Sequence, residues 1–306
     1  MGLQNLKISV ITPSLNSSHY IKHAIESVLC QDYHNFEHIV VDGGSTDGTI
    51  DILKSYPHLH WISEPDTGQS DAMNKGFRLS TGDIIVNLNA DDFFSSGAFI
   101  SILPFFQRGS NFVVGKIRIM KCNGHYRIAN PQANFGEMLK WWKKDVFCYN
   151  PVGYFYRRYV HETVGGFDTT NHYTMDYDFL LKARKSFNFD IIDQILGTYR
   201  WFPGTKTYET ISYKYYPLKY RFCEQYLCLF DDDWVKRHFI EKEGHTKWKQ
   251  IDEIVLVVKN KIIKNNFFYG IHLLLKLFIA NPQSTLGYVL NAIQKRVDLP
   301  GKKSHK

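Results

Sequence analysis

The sequence predicts an α/β fold, a doubly wound and mostly parallel sheet followed by a helical C-terminal segment. Three observations predict it. Apolar bursts alternate with helical stretches over the first hundred residues, as strands joined by crossover helices do. The bursts are nearly continuously apolar, the pattern of strands covered on both faces. Each burst also ends in a polar turn rich in glycine or carboxylate.

Taken in order, residues 7–12 (KISVIT), 36–42 (FEHIVVD), 60–63 and 83–88 (DIIVNL) read as strands. Residues 18–30, 49–55 and 69–79 read as the helices between them, and 93–106 as a helix after the fourth strand. From Asn111 the texture changes to short β-like runs, FVVGKIRIM and HYRIA, then a Trp141-Trp142 pair and a helix over about 176–187. Such a region completes the sheet and builds the second wall of a cleft. Beyond Thr205 an aromatic and then basic stretch reads as mostly helical. The boundary is expected near 205–215, dividing the chain into 1–207 and 208–306.

With 306 residues and 44% hydrophobic content the chain can fill a sizeable core. Its five cysteines are scattered and lack CxxC spacing, which argues against a disulfide framework or a zinc site and for a reducing cytosol. The N-terminus carries no apolar run of signal-peptide length, and Leu6 stands where a myristoylation signal would want Ser or Thr. A cytoplasmic protein is expected. The net charge of +7 belongs to the tail, because residues 247–306 hold 11 basic and 3 acidic residues.

Ligands of open α/β sheets bind beyond the carboxyl ends of the strands. The residues at those positions are TPSLN after the first strand, DGGSTDGT after the second, EPD after the third and NADD after the fourth. DGGSTDGT makes a tight turn with close backbone approach to a ligand, although Asp47 on its own reads better as a helix cap. Asp42, at the strand end, is placed to accept hydrogen bonds from a base or ribose. Neither GxGxxG nor GxxxxGK[ST] occurs, which disfavours dinucleotide dehydrogenases and P-loop enzymes. Asp91 and Asp92 are adjacent hard oxygen donors of the kind that suit Mg²⁺ or Mn²⁺ bound together with substrate phosphates. Either would serve equally as a cap for the helix that follows.

TPSLN, VVDGGSTDGT, EPDTGQSDAMNKG, GDIIVNLNADD, GGFD and MDYDF occur in the order, and at roughly the spacing, of family 2 glycosyltransferases. Over about residues 7–207 the chain resembles that bacterial-type, inverting family with its GT-A fold, a nucleotide-binding half joined to an acceptor-binding half. The resemblance implies that Thr12, Pro13, Asn16 and Asp42 hold the nucleoside, with Asp66, Asn74 and Gly76 lining the same pocket. It implies a divalent metal, Mn²⁺ or Mg²⁺, on Asp92, with Asp91 beside it on the metal or the donor sugar. Asp176 of MDYDF would be the general base, a role that suits a carboxylate because the attacking hydroxyl must lose its proton. Met175 stands where relatives often carry a glutamate, and Asp178 reads as a cap or structural partner. The segment from Arg200 to Thr207 resembles a loop that closes over the diphosphate, with Arg200 and Lys206 as phosphate contacts and Phe202 where relatives often have a histidine.

The implied activity is transfer of one sugar from a nucleoside-diphosphate sugar, UDP-sugar favoured, to a glycan or lipid-linked glycan acceptor in cell-surface polysaccharide synthesis. A non-catalytic nucleotide-sugar or glycan-binding relative is the alternative. A sugar nucleotidyltransferase would want a basic glycine-rich loop where TPSLNSS stands. In the tail, lysines interrupt the apolar stretch 254–280, so it fails as a spanning helix. Its amphipathic pattern fits either docking on the catalytic domain or peripheral contact with the inner face of the cell membrane, its lysines meeting anionic headgroups. No nucleic-acid motif accompanies the basic residues.

Overall fold

The computed structural model of the chain describes residues 5–138, 150–172, 174–201 and 205. All belong to the first of the two units into which the chain divides, Met1–Cys228 and Leu229–Lys306. The boundary near 205–215, the segment 208–306 and the Trp141-Trp142 pair lie outside the described residues.

The first half follows the expected order: strand β1 (Ile8–Ser14), helix α1 (Ile21–Leu29), β2 (Phe36–Asp42), α2 (Thr49–Lys54), β3 (His60–Ser63), α3 (Gln69–Leu79) and β4 (Ile84–Asn87). Strand β1 is buried throughout and lies between β2 and β4, with β3 outside β2 and every pairing parallel. Successive residues of β2 face opposite sides, as strand geometry dictates. Ile39 and Val41 pack with Ala72 of α3, whereas Val40 joins Ile21, Ile25 and Leu53 of α1 and α2. Helix α3 lies close against the sheet because Gly76 has no side chain, and a Cβ there would stand 2.3 Å from Ile11 Cγ2.

At the sheet's other end Glu37 accepts from Lys7 Nζ, Ser9 Oγ and the Thr81 amide, each at 2.6 Å. Burial opposes its charge, but these donors outweigh burial and hold its carboxyl down at about 2. One carboxylate thereby ties β1, β2 and the turn before β4.

The second half comprises β5 (Phe93–Phe94), α4 (Ala98–Gln107), β6 (Phe112–Lys121), β7 (Tyr126–Ala129), α5 (Phe135–Met138), a 3₁₀ turn (Pro151–Gly153), β8 (Tyr154–Arg157), α6 (Arg158–Val164), α7 (Met175–Ser186) and β9 (Phe189–Trp201). The sheet runs β3-β2-β1-β4-β8-β6-β9-β5, with β7 paired to β6. Parallel pairs carry most of its ladder, the longest being β6 with β9. Antiparallel β8 joins the two halves through β4 and β6.

One expected element is corrected. Phe93 and Phe94 are not helical but pair with Thr198 and Gly197 of β9, and α4 begins only at Ala98, after Gly97 at φ 73°. Asp91 and Asp92 therefore cap no helix. Among the described residues no helix is long and apolar enough to cross a membrane.

Candidate active site

Parallel register sets Ser14, Asp42 and Ser63 side by side at one sheet edge, to which β4 adds the run Asn89–Asp92. The polar turns there are fastened to one another. Asp42 is fully buried, and its Oδ2 accepts from the Gly44 and Ser45 amides and from Ser63 Oγ at 3.0, 2.8 and 2.8 Å. Asn16 adopts a left-handed φ of 49°; its amide donates to Ser45 Oγ at 2.7 Å and its Oδ1 accepts from the Thr46 amide at 2.9 Å. Asp47 accepts from the Ser18 and Thr49 amides at 3.0 and 3.1 Å, so it braces the start of α2 as its capping reading required. Burial works against that carboxylate's charge, yet the bonds from Thr49 and Ser18 hold its pKa well below the usual range.

Asp66 reaches into the same loop. Its Oδ2 would lie 2.7 Å from a Cβ at Gly43, and its Oδ1 accepts from the Gly68 amide at 2.8 Å. Asn16, Asp42 and Asp66 thus gather at the predicted edge. Thr12 and Pro13 contribute differently, because both side chains are buried within β1. The Thr12 hydroxyl lies 2.9 Å from His38 Nε2, a ring that burial and nearby His58 hold at a pKa of about 3. Any contact they make with a nucleoside falls to the main chain. Ser14, one step further, was not singled out in the sequence; its buried hydroxyl has no partner among the described residues.

Asn74 and Gly76, expected to line the nucleoside pocket, also have structural roles. Gly76 is the contact of α3 with the sheet. Asn74 spends both ends of its amide on one residue, donating to the Phe167 carbonyl at 2.8 Å and accepting from the Phe167 amide at 3.0 Å. Ser70 of the same helix donates to the Asn171 carbonyl at 3.3 Å. Through Phe167 and Asn171, helix α3 therefore also holds the chain leading into α7.

The two adjacent carboxylates after β4 are unlike one another. Asp92 is fully buried; its Oδ2 accepts from Asn89 Nδ2 at 3.0 Å and Asn150 Nδ2 at 2.9 Å, and its Oδ1 from the Arg200 amide at 2.9 Å. Burial first, and the neighbouring Asp91 charge second, push its pKa well up against those bonds. Asp91 is partly exposed. Burial raises its pKa too, with its own backbone bond and Arg200 opposing. Gln69 Nε2 donates to Asn89 Oδ1 at 2.7 Å and links α3 to this turn.

Arg200 closes that turn from β9. Its Nη1 donates to the Asp91 carbonyl at 2.9 Å, its Nη2 meets His23 Nδ1, and its guanidinium carbon lies 4.9 Å from the centre of the Phe93 ring. His23 stacks on that ring at 4.2 Å, and burial together with Arg200 lowers its pKa. The guanidinium thus makes two bonds to the protein beside the Asp91–Asp92 turn. Lys206 and Phe202 lie outside the described residues.

Among the described residues no three His, Cys, Asp or Glu side chains are grouped to hold a metal. A Mg²⁺ or Mn²⁺ that borrows its other ligands from phosphate needs only one or two carboxylates. Asp91 fits that need. Asp92, fully buried and already accepting three hydrogen bonds, is the less accessible of the two.

Helix α7 carries the third group. Met175 and residues 177–181 are buried, while Asp176 is partly exposed. Tyr154 Oη donates to Asp176 Oδ1 at 3.2 Å. Asp178 is buried and pairs with Lys182 at 2.6 Å, the structural role read from its spacing. Gly166, in the GGFD turn, has φ 74°, and a Cβ there would stand 2.8 Å from Asn74 Oδ1. His23, Gln69, Asn89, Asn150 and Tyr154 were not singled out in the sequence. Apart from Asn89 and Asp92, three residues apart, their partners are far away along the chain, and only the position of Asn89 at the head of NADD gave a signal.

A parallel α/β half whose strand ends present carboxylates, completed by a mixed half that brings a further carboxylate on a helix, defines the GT-A class. The family model described as "Glycosyl transferase family 2" matches residues 9–165, and the chain belongs to that family. A PGL/p-HBAD biosynthesis glycosyltransferase of Mycobacterium bovis is 30% identical over 183 residues, covering 57% of this chain and 68% of that protein. An uncharacterized glycosyltransferase of Nostoc sp. is 35% identical over 107 residues, and the match spans 33% of each chain. Among solved structures, S. aureus TarS 1–349 in complex with UDP-GlcNAc superposes with a TM-score of 0.56 at 22% identity, covering 68% of this chain and 62% of TarS 1–349. That likeness shows the fold.

Proposed function

We propose that the chain is an inverting glycosyltransferase that moves one sugar from a UDP-sugar to a glycan or lipid-linked glycan acceptor in cell-surface polysaccharide synthesis. Family membership supports the reaction class. S. aureus TarS, which shares the fold, has been crystallised with UDP and with UDP-GlcNAc, and this supports the donor. The mycobacterial relative is named a PGL/p-HBAD biosynthesis glycosyltransferase, which supports the same reaction class.

The observation that carries the reading is the partly exposed Asp176 in an otherwise buried run at the start of α7, in a fold whose sheet edge presents Asp91. The acceptor oxygen attacks the anomeric carbon from the face opposite the diphosphate, the carbon–oxygen bond to the diphosphate breaks, and Asp176 takes the acceptor's proton. Asp42, Asn16 and Asp66 shape the donor's nucleoside end. Asp91 would hold a divalent metal, which when bound neutralises charge on the leaving diphosphate. Lys206 is assigned to the diphosphate on the resemblance alone.

The test is Asp176→Asn. Donor affinity at the wild-type level with transfer lost supports the reading, and a product of inverted anomeric configuration from the wild type completes it. Full transfer in the variant overturns it.

A further inference from the structure

We infer that His172 contacts the sugar of the bound donor and selects among UDP-sugars, an inference that rests on the function proposed above. The residue belongs to the chain leading into α7 and lies four positions before Asp176. It comes to rest against a different part of the molecule. A Cβ at Gly68, the residue before α3, would stand 3.0 Å from His172 Nδ1 and 3.3 Å from its Cε1. Gly68 also holds φ at 124°, so both its backbone and the space beside it demand glycine. The edge of the imidazole thus lies over the turn that Asp66 and Gly68 form.

That turn is a junction. On one side Asp66 accepts from the Gly68 amide at 2.8 Å and reaches Gly43, in the loop after Asp42 at the nucleoside edge. On the other side Gln69 donates to Asn89 at 2.7 Å and Asn89 donates to Asp92 at 3.0 Å, beside Asp91. In an inverting displacement the base and the leaving group stand on opposite faces of the anomeric carbon. A donor with its nucleoside at Asp42 and its diphosphate at Asp91 therefore has its sugar between the sheet edge and Asp176. His172 touches the first boundary of that space and lies four residues from the second.

The loop fixes its own backbone on either side of the ring. Asp168 Oδ1 accepts from the Thr170 amide and hydroxyl at 2.8 and 2.7 Å, and Asn171 Oδ1 accepts from the Thr174 amide and hydroxyl at 3.0 and 3.1 Å. His172 is exposed, and its imidazole makes no hydrogen bond among the described residues. An imidazole donates from one ring nitrogen and, when neutral, accepts at the other, the two functions that read a sugar hydroxyl. A site that hydrogen-bonds a hydroxyl rejects the sugar in which that group is missing or turned away.

The experiment uses the full chain with Mn²⁺ and measures UDP release, with water as acceptor, from UDP-glucose, UDP-galactose, UDP-N-acetylglucosamine and UDP-N-acetylgalactosamine. In this step the water oxygen bonds to the anomeric carbon, the bond to the diphosphate breaks and Asp176 takes the proton. Calorimetric titration with UDP, which carries no sugar, runs beside it. His172→Ala is expected to raise KM for the best donor about tenfold, as the loss of one hydrogen bond to substrate does, and to narrow the preference among the four. Its UDP affinity and thermal midpoint are expected to stay at the wild-type level. His172→Gln, which restores a donor and an acceptor, is expected to recover most of the loss.

Unchanged KM values and preference in His172→Ala overturn the inference and leave the proposed function standing. A loss of UDP affinity equal to the loss for the UDP-sugar overturns it too, because the ring then reads the nucleotide and not the sugar. A lowered thermal midpoint with both variants equally impaired overturns it as well, since that marks a residue that only packs the loop against Gly68. If the wild type binds and turns over none of the four donors, the proposed function itself fails and the inference falls with it.

Discussion

The two carboxylates at the end of NADD show how far burial can separate neighbours. Sequence adjacency makes Asp91 and Asp92 equivalent candidates, and the resemblance ranked Asp92 first. Its three donors come from Asn89, Asn150 and Arg200, the last two far away in sequence, and nothing local announces them. Each residue consequently has its own expected phenotype. Asp91→Asn should leave the thermal midpoint near the wild-type value and weaken Mn²⁺-dependent binding of UDP tenfold or more, by an order-of-magnitude reading of one lost metal ligand. Asp92→Asn should cost roughly 1–3 kcal/mol of stability, because it breaks a satisfied buried cluster. Calorimetric titration of UDP and thermal melts of both variants check this, and the reverse pattern would restore Asp92 as the ligand. The place of Asp42 was legible because it stands where a strand ends, and Asp176 was singled out through the MDYDF motif. The second role of Asn74 was not, since its partner Phe167 is defined only once the chain has folded back.

At the scale of elements, the parallel half was legible almost residue by residue because its strands carry a period and its turns carry glycine. The mixed half was less so. Phe93-Phe94 reads as the start of a helix from its apolar character, but pairing with Thr198 and Gly197 overrides that local preference. Strands β8 and β9 are defined mainly by the neighbours they pair with. The contact of helix α3 with β1 depends on the missing Cβ of Gly76. Gly76→Ala should gain a little helix propensity and still lose about 1–3 kcal/mol from overpacking against Ile11, read from chemical denaturation. A more stable variant would contradict that packing.

The pH behaviour of the first half rests on Glu37, whose folded pKa of about 2 lies below its ordinary 4.5. A depressed carboxyl stabilises the fold fully above the unfolded value, and that contribution is lost as pH falls from 4.5 toward 2. The gap in thermal midpoint between wild type and Glu37→Gln should therefore be widest above pH 4.5 and shrink below it. A gap independent of pH would show that the ionised carboxylate is not what ties β1 to β2.

For the whole molecule, the polar sheet edge with Asp42 and Asp91 and the partly exposed Asp176 of α7 are brought onto one framework by β8 and by the bonds of Asn74 and Ser70 to Phe167 and Asn171. The fold class was legible because six motifs keep their order along the chain; the joint between the halves was not, because it consists of contacts between residues distant in sequence. The basic tail belongs to this scale too. On its composition, residues 247–306 are proposed to bring the enzyme to anionic membranes, so the full chain should float with phosphatidylglycerol vesicles at low salt and a chain ending at residue 246 should not. Equal behaviour of the two would favour simple docking. The central claim, that this is a working UDP-sugar transferase, is met most directly by incubating the purified chain with Mn²⁺ and a panel of nucleotide sugars and measuring both binding and release of the nucleoside diphosphate. The account predicts that at least one UDP-sugar binds and is turned over with release of UDP; a chain that binds none of them, or binds one without ever releasing UDP, would contradict it.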